Sequence, residues 1–170
     1  MLEPDQSSAL LQNRVEGKTA SRHPLRWLNL AAFCLLTLNN SWIWITWSPI
    51  ASEVALRWNV SKADVDGLSS IFMWEYIPFS FPALWMLHKI GLRQGLLVGA
   101  LLNLIGSIIR WQSSDSFALV YVGTCFCSTA QLFTLAVPPL ISHMMFAVEE
   151  RALATSIGVL ANQLGTCAGL

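Results

Sequence analysis

The chain has 170 residues, 54 % of them hydrophobic and only 12 % charged, with a mean hydropathy of +0.52. A soluble domain cannot cover its surface from so small a polar allowance, so lipid is the expected solvent. Ten basic and ten acidic residues cancel, which leaves no net field for a nucleic acid and makes the placement of charge the informative quantity.

The first segment, Met1 to His23, is polar and lacks an apolar run. It reads as part of a disordered cytosolic tail over residues 1–26 rather than as a signal peptide. The apolar pattern then predicts an all-α membrane protein of about five transmembrane helices, since each needs about 20 mostly apolar residues. They fall at about 27–52, 66–87, 92–110, 116–140 and 152–170.

The first span carries Asn40, Trp44, Trp47 and Ser48 at helical spacing on an otherwise aliphatic helix. Polar groups cost several kcal/mol in hydrocarbon unless satisfied, so this stripe turns toward other helices or a water-filled cavity. Trp44 lies ~25 Å along the helix from Trp27, past the middle of the span; an interfacial belt is the competing reading. A tryptophan that faces a cavity offers its π surface to a cation. Asn59-Val60-Ser61 on the following loop is a glycosylation acceptor pattern.

The second span contains one carboxylate, Glu75, near its centre. An acid there costs about 2.5–3.5 kcal/mol on insertion, which makes it a candidate for proton or cation coupling. A protonated, hydrogen-bonded packing role is the alternative. Pro78 and Pro82 interrupt the same helix and favour a kink.

Between the second and third spans His88, Lys89, Gly91 and Arg93 form a tight basic turn. Gly95, Gly99 and Gly106 in the third span, and Gly158, Gly165 and Gly169 in the fifth, allow close helix packing. Asn162 shares the latter face and Gln163 borders it. The four cysteines, Cys34, Cys125, Cys127 and Cys167, all lie in apolar spans and read as small packing residues. Neither a metal nor another cofactor is expected, and no catalytic cluster with a base lies at membrane depth.

Charge placement orients the chain. Arg14, Lys18, Arg22, Arg26, Lys89, Arg93 and Arg151 share one side if the N-terminus is cytosolic, with Arg57, Lys62 and Arg110 opposite, as the positive-inside rule requires. A multi-pass integral membrane protein with a cytosolic N-terminus is therefore expected; plasma and organelle membranes are not distinguished.

The 88–93 turn resembles the loop between the second and third helices of the major facilitator superfamily, with His88 where an acid is usual. Ala130-Gln131-Leu132-Phe133, Pro138-Pro139, Glu149-Glu150-Arg151-Ala152 and the run from Ala154 to Gly165 resemble its feline leukaemia virus subgroup C receptor-related branch. Trp27, the segment from Asn40 to Trp44, Leu68-Ser69, Tyr76-Ile77-Pro78, Phe81-Pro82, Trp85 and Gly91-Leu92-Arg93 match in the same order. The resemblance covers about residues 26–170.

It implies part of the N-terminal six-helix half of a twelve-helix facilitator that works by alternating access. Members of the branch are associated with choline and ethanolamine transport and with haem export. The positions that match Trp44 and Gln131 line the central cavity, with Asn162 and Gln163 near it; Asn40 completes the expected substrate-binding set. His88, Lys89, Gly91 and Arg93 would pin the cytosolic helix ends in one state, and Glu75 departs from an uncharged pattern. The expected partners are the lipid bilayer, a small-molecule substrate, and either a missing C-terminal half or a full-length carrier. Transport of a choline- or ethanolamine-like solute is the first reading; haem export, or a truncated, non-transporting product that associates with a full-length carrier, is the alternative.

Overall fold

The computed structural model describes residues 24–113 and 116–170; the expected tail up to residue 23 lies outside the described residues. The described residues form helices α1 (Leu25–Ile45), α2 (Ala51–Trp58), α3 (Lys62–Ile90), α4 (Leu92–Gln112), α5 (Phe117–Leu132), α6 (Pro138–Met145) and α7 (Val148–Gly169). Leu25 and Arg26, expected in the tail, are thus helical.

Two expected spans are divided, each at a turn that contains or leads into proline, whereas α3 runs on through Pro78 and Pro82. The first, expected over 27–52, ends as a helix at Ile45. Pro49 follows in the turn, where its missing N–H and its ring oppose continuation of the helix, and α2 starts separately at Ala51. The fourth, expected over 116–140, stops at Leu132. A turn leads into Pro138 and Pro139, which open α6 in the first-turn positions where proline fits best.

Between α2 and α3 the backbone is held by local chemistry. Asn59 ends α2 in the left-handed conformation, with φ of 51°, which asparagine tolerates better than most residues. Ser61 then caps α3: its Oγ accepts from the Asp64 N–H, and the Asp64 carboxylate accepts from the Ser61 N–H at 3.0 Å. The resulting helix has 29 residues, about 43 Å of length, and outreaches the hydrocarbon layer. It ends at Gly91, whose φ of 85° and ψ of 158° belong to a region open essentially to glycine alone.

Many of the close helix contacts run through small and polar residues, as membrane helices favour. An added Cβ at Gly165 would overlap the Leu38 carbonyl on α1, and one at Gly106 would meet Gly123 and Cys127 on α5. Thr37, Asn40, Ser41, Asn103, Thr124 and Ser128 are buried. Meanwhile Leu35, Trp74, Phe81 and Trp111 are 70 %, 75 %, 80 % and 86 % exposed, which suits a lipid-facing surface and not an aqueous one.

By length and hydropathy alone, α1 and α4 qualify as membrane-crossing helices. The five spans expected from the sequence exceed that number because α3 and α7 are less apolar, α3 carrying Glu75 and α7 carrying Asn162 and Gln163, while α5 has 16 residues.

At the end where α1 and α7 begin, Leu30 and Phe33 pack with Leu87, Leu92, Val137, Ile141, Phe146 and Ala154. At the other end Val54, Val65, Leu68 and Val120 join α2, α3 and α5. Between these two plugs lies a cavity.

Candidate functional site

A cavity of about 290 Å³ opens among α1, α3, α5 and α7. Helix α1 contributes Asn40, Ser41 and Trp44, and α3 contributes Phe72, Met73 and Tyr76; each trio has the i, i+1, i+4 spacing of one helix face. Gln131 from the end of α5, Leu135 from the turn that follows and Asn162 from α7 complete the lining.

The aromatic wall is anchored. Trp44 Nε1 donates to the Ser69 carbonyl at 3.0 Å, and Ser69 Oγ donates to the Trp44 carbonyl at 3.1 Å, so two reciprocal bonds join α1 to α3 beside the cavity. Asn40 is buried and donates to Asn103 Oδ1 at 3.0 Å and to the Cys127 carbonyl at 2.9 Å. Asn103 in turn donates to Asn39 Oδ1 at 2.9 Å. This chain of amides ties α1, α4 and α5 together on the far side of the cavity. Asn162 donates to Thr37 Oγ1 at 3.2 Å and to Ser41 Oγ, which fixes α7 to α1. Gln131 Oε1 is buried and has no hydrogen-bond partner.

Of the residues singled out in the sequence, Trp44, Gln131, Asn40 and Asn162 come together here. Gln163 does not: it is exposed on α7, since one residue along a helix turns the side chain through about 100° and out of the bundle. Glu75 is also outside the cavity lining. Its carboxylate accepts from Ser128 Oγ and, at 3.2 Å, from Thr129 Oγ1, a tie between α3 and α5. Phe72, Met73, Tyr76, Ser41 and Leu135 escaped the sequence reading. The first three share the face of α3 that meets the Trp44 stripe, and aromatic residues four apart at 72 and 76 were the available signal.

The 88–93 turn lies at the opposite end of α3 from α2. His88 Nδ1 is 2.8 Å from the Leu84 carbonyl, a contact that requires the hydrogen on Nδ1. Lys89 Nζ sits 4.0 Å from the centre of the Trp85 ring, within cation–π range. Gly91 makes the turn and Arg93 is exposed. Nearby is a contact the sequence did not announce: Arg26 pairs with Glu150 through two bonds of 2.6 and 3.0 Å. The Arg26 guanidinium also lies 5.6 Å from the Trp27 ring centre and 5.4 Å from that of Phe146.

Small-residue helix packing, an apolar exterior and a central cavity lined by aromatic and amide side chains together define a helical membrane protein built around a solute-sized site. The Major Facilitator Superfamily pattern matches residues 29–170, and the chain belongs to that family. Its relatives include the choline/ethanolamine transporter flvcr2b of Danio rerio, 38 % identical over 85 % of this chain and 30 % of its own length. The choline/ethanolamine transporter FLVCR1 of Felis catus is 36 % identical over 91 % of this chain and 28 % of its own length. An uncharacterized MFS-type transporter, C09D4.1 of Caenorhabditis elegans, is 38 % identical over 93 % of this chain and 27 % of its own length. The chain therefore spans less than a third of the length of these curated relatives. The branch expected from the motifs is the branch these relatives represent.

Proposed function

We propose that this chain forms one side of the substrate path of a carrier for a small organic cation of the choline/ethanolamine class, moved across the membrane by alternating access. The observation that carries the reading is the pairing of an aromatic wall, Trp44 and Tyr76, with an unpartnered buried acceptor, Gln131 Oε1, in an uncharged cavity. An ammonium group gains from the π faces without a carboxylate to hold it, and a hydroxyl two carbons away reaches the amide oxygen. At about 290 Å³ the space lies at the lower end of ligand sites, as a small solute requires.

Met73 and Leu135 line the cavity yet are 59 % and 37 % exposed. That open side supports a second helical half as the missing wall, in keeping with the greater length of the relatives. The proposed orientation places the N-terminus and the 88–93 turn in the cytosol, where Lys89 and Arg93 join Arg26 and Arg151.

The test is uptake of labelled choline and ethanolamine into proteoliposomes that hold the protein made from its complete reading frame. Trp44→Ala is expected to lower choline uptake about ten-fold or more, the scale of a desolvated cation–π contact, while Trp44→Phe retains part of it. Saturable uptake of neither amine by the unsubstituted protein would overturn the proposal.

A further inference from the structure

Away from the cavity, one exposed face of α3 runs without a break to the 88–93 turn. Trp74, Ile77, Phe81 and Trp85 recur at three- and four-residue spacing and are all exposed. This stripe lies roughly 140° round α3 from the face of Phe72, Met73 and Tyr76, so a second helical half seated over the cavity leaves it to lipid. Lys89, four residues beyond Trp85, ends the stripe. From Trp74 to Lys89 the helix climbs ~22 Å, more than the ~15 Å of hydrocarbon in one leaflet, and its end therefore stands at head-group level.

The polar end of the stripe is positive and unneutralised. Lys89 Nζ lies 4.0 Å from the centre of the Trp85 ring, where the indole face holds the ammonium and leaves its hydrogens free for an acceptor. Arg93 is exposed in the first turn of α4. Residues 84–95 contain no acid. Among the described residues the one ion pair is Arg26 with Glu150, so neither Lys89 nor Arg93 has a carboxylate partner there. The opposite end of α3 differs: Lys62 is followed by Asp64 and Asp66, and Arg57 on α2 by sequence accompanies Glu53.

We propose that the end of α3 and the start of α4 form a site for an anionic phospholipid, with its phosphate held by Lys89 and Arg93 and an acyl chain laid along Trp85 and Phe81. Charge complementarity and an apolar stripe of leaflet depth select this occupant over a soluble anion, which has no use for the stripe. The proposed orientation puts the site in the cytosolic leaflet, where anionic lipids concentrate. The inference does not depend on the identity of the transported solute.

The experiment is thermal unfolding, in neutral detergent, of the protein from its complete reading frame, with phosphatidylserine, phosphatidylcholine of the same acyl chains, or inorganic phosphate added. Phosphatidylserine is expected to raise the midpoint by about 2–4 °C in a saturable way, and the other two to leave it in place. Lys89→Gln with Arg93→Gln is expected to raise the half-saturating concentration of phosphatidylserine about ten-fold or more, the scale of two interfacial cations; Arg57→Gln with Lys62→Gln leaves it unchanged. An equal shift with phosphatidylcholine or with inorganic phosphate overturns the proposal, as does an unaltered half-saturation in the Lys89 and Arg93 variant. If that variant does not fold, phosphatidylserine with a photoreactive acyl chain is applied to the unsubstituted protein in vesicles. Labelling is expected within residues 74–89 and is competed by phosphatidylserine but not by phosphatidylcholine. Absence of label there means that protein covers the stripe, and refutes the lipid site. None of these readouts uses transport, so failure of the site and failure of the choline/ethanolamine reading are told apart.

Discussion

Glu75 and Gln131 have exchanged the importance that residue type alone would assign. A carboxylate in the middle of an apolar run demands satisfaction, and the fold supplies it with the hydroxyls of Ser128 and Thr129 on α5. Gln131, an ordinary amide in a helix of small residues, is the group left with a buried acceptor and no partner, and a buried polar atom without a partner costs about 1–3 kcal/mol. That cost is the opening for a ligand. The coupling role proposed for Glu75 stays testable beside its structural one. Glu75→Gln preserves an acceptor for Ser128 and Thr129 and removes the charge; under coupling, the stimulation of choline uptake by an imposed ion gradient is expected to be lost in the variant. Gradient-stimulated uptake equal to that of the unsubstituted protein would leave Glu75 as an interhelical tie only. Trp44 was legible because a tryptophan on a polar stripe is conspicuous, whereas Ser41 and Met73 were not, because nothing in a serine or methionine distinguishes a cavity from a helix contact.

Among elements, the end of the bundle where α1 and α7 begin is the most heavily braced. Arg26 on α1 and Glu150 on α7 are 13 % and 33 % exposed, and the arginine lies near both Trp27 and Phe146, themselves 5.0 Å apart edge-to-face. The planar guanidinium meets both carboxylate oxygens, which makes this pair more specific than a single surface contact. A double-mutant cycle of Arg26→Gln and Glu150→Gln, read by thermal unfolding in detergent, is expected to give a coupling of about 1 kcal/mol; a value indistinguishable from zero would show that the contact is incidental. From the sequence Arg26 counted only as positive charge in a tail, because a pair separated by 124 positions leaves no trace in local pattern. The same limit explains the divided spans: hydropathy runs straight through Pro49 and Pro138, while the backbone hydrogen-bond ladder does not. Gly165 against Leu38 is the opposite case, where small-residue spacing foretold a close approach without naming the partner.

For the molecule as a whole, the proposal that a second helical half closes the cavity makes a direct prediction. This 170-residue polypeptide alone in vesicles is expected to show no saturable choline or ethanolamine uptake above protein-free vesicles; uptake by it alone would refute the need for a further half. Composition and apolar run length were enough to determine a helical membrane protein, because a bilayer admits so few ways of satisfying a backbone. The order of motifs was enough to point to the superfamily and its branch. The relation among helices was decided only in three dimensions. The path from Asn39 through Asn103 and Asn40 to Cys127, the grip of Thr37 and Ser41 on Asn162, and the turn of Gln163 away from the bundle all depend on which helix lies opposite which. Sequence periodicity tells which residues share a face; hydrogen-bond directions, and hence what the cavity can offer a ligand, exist only once the facing helix supplies donor or acceptor.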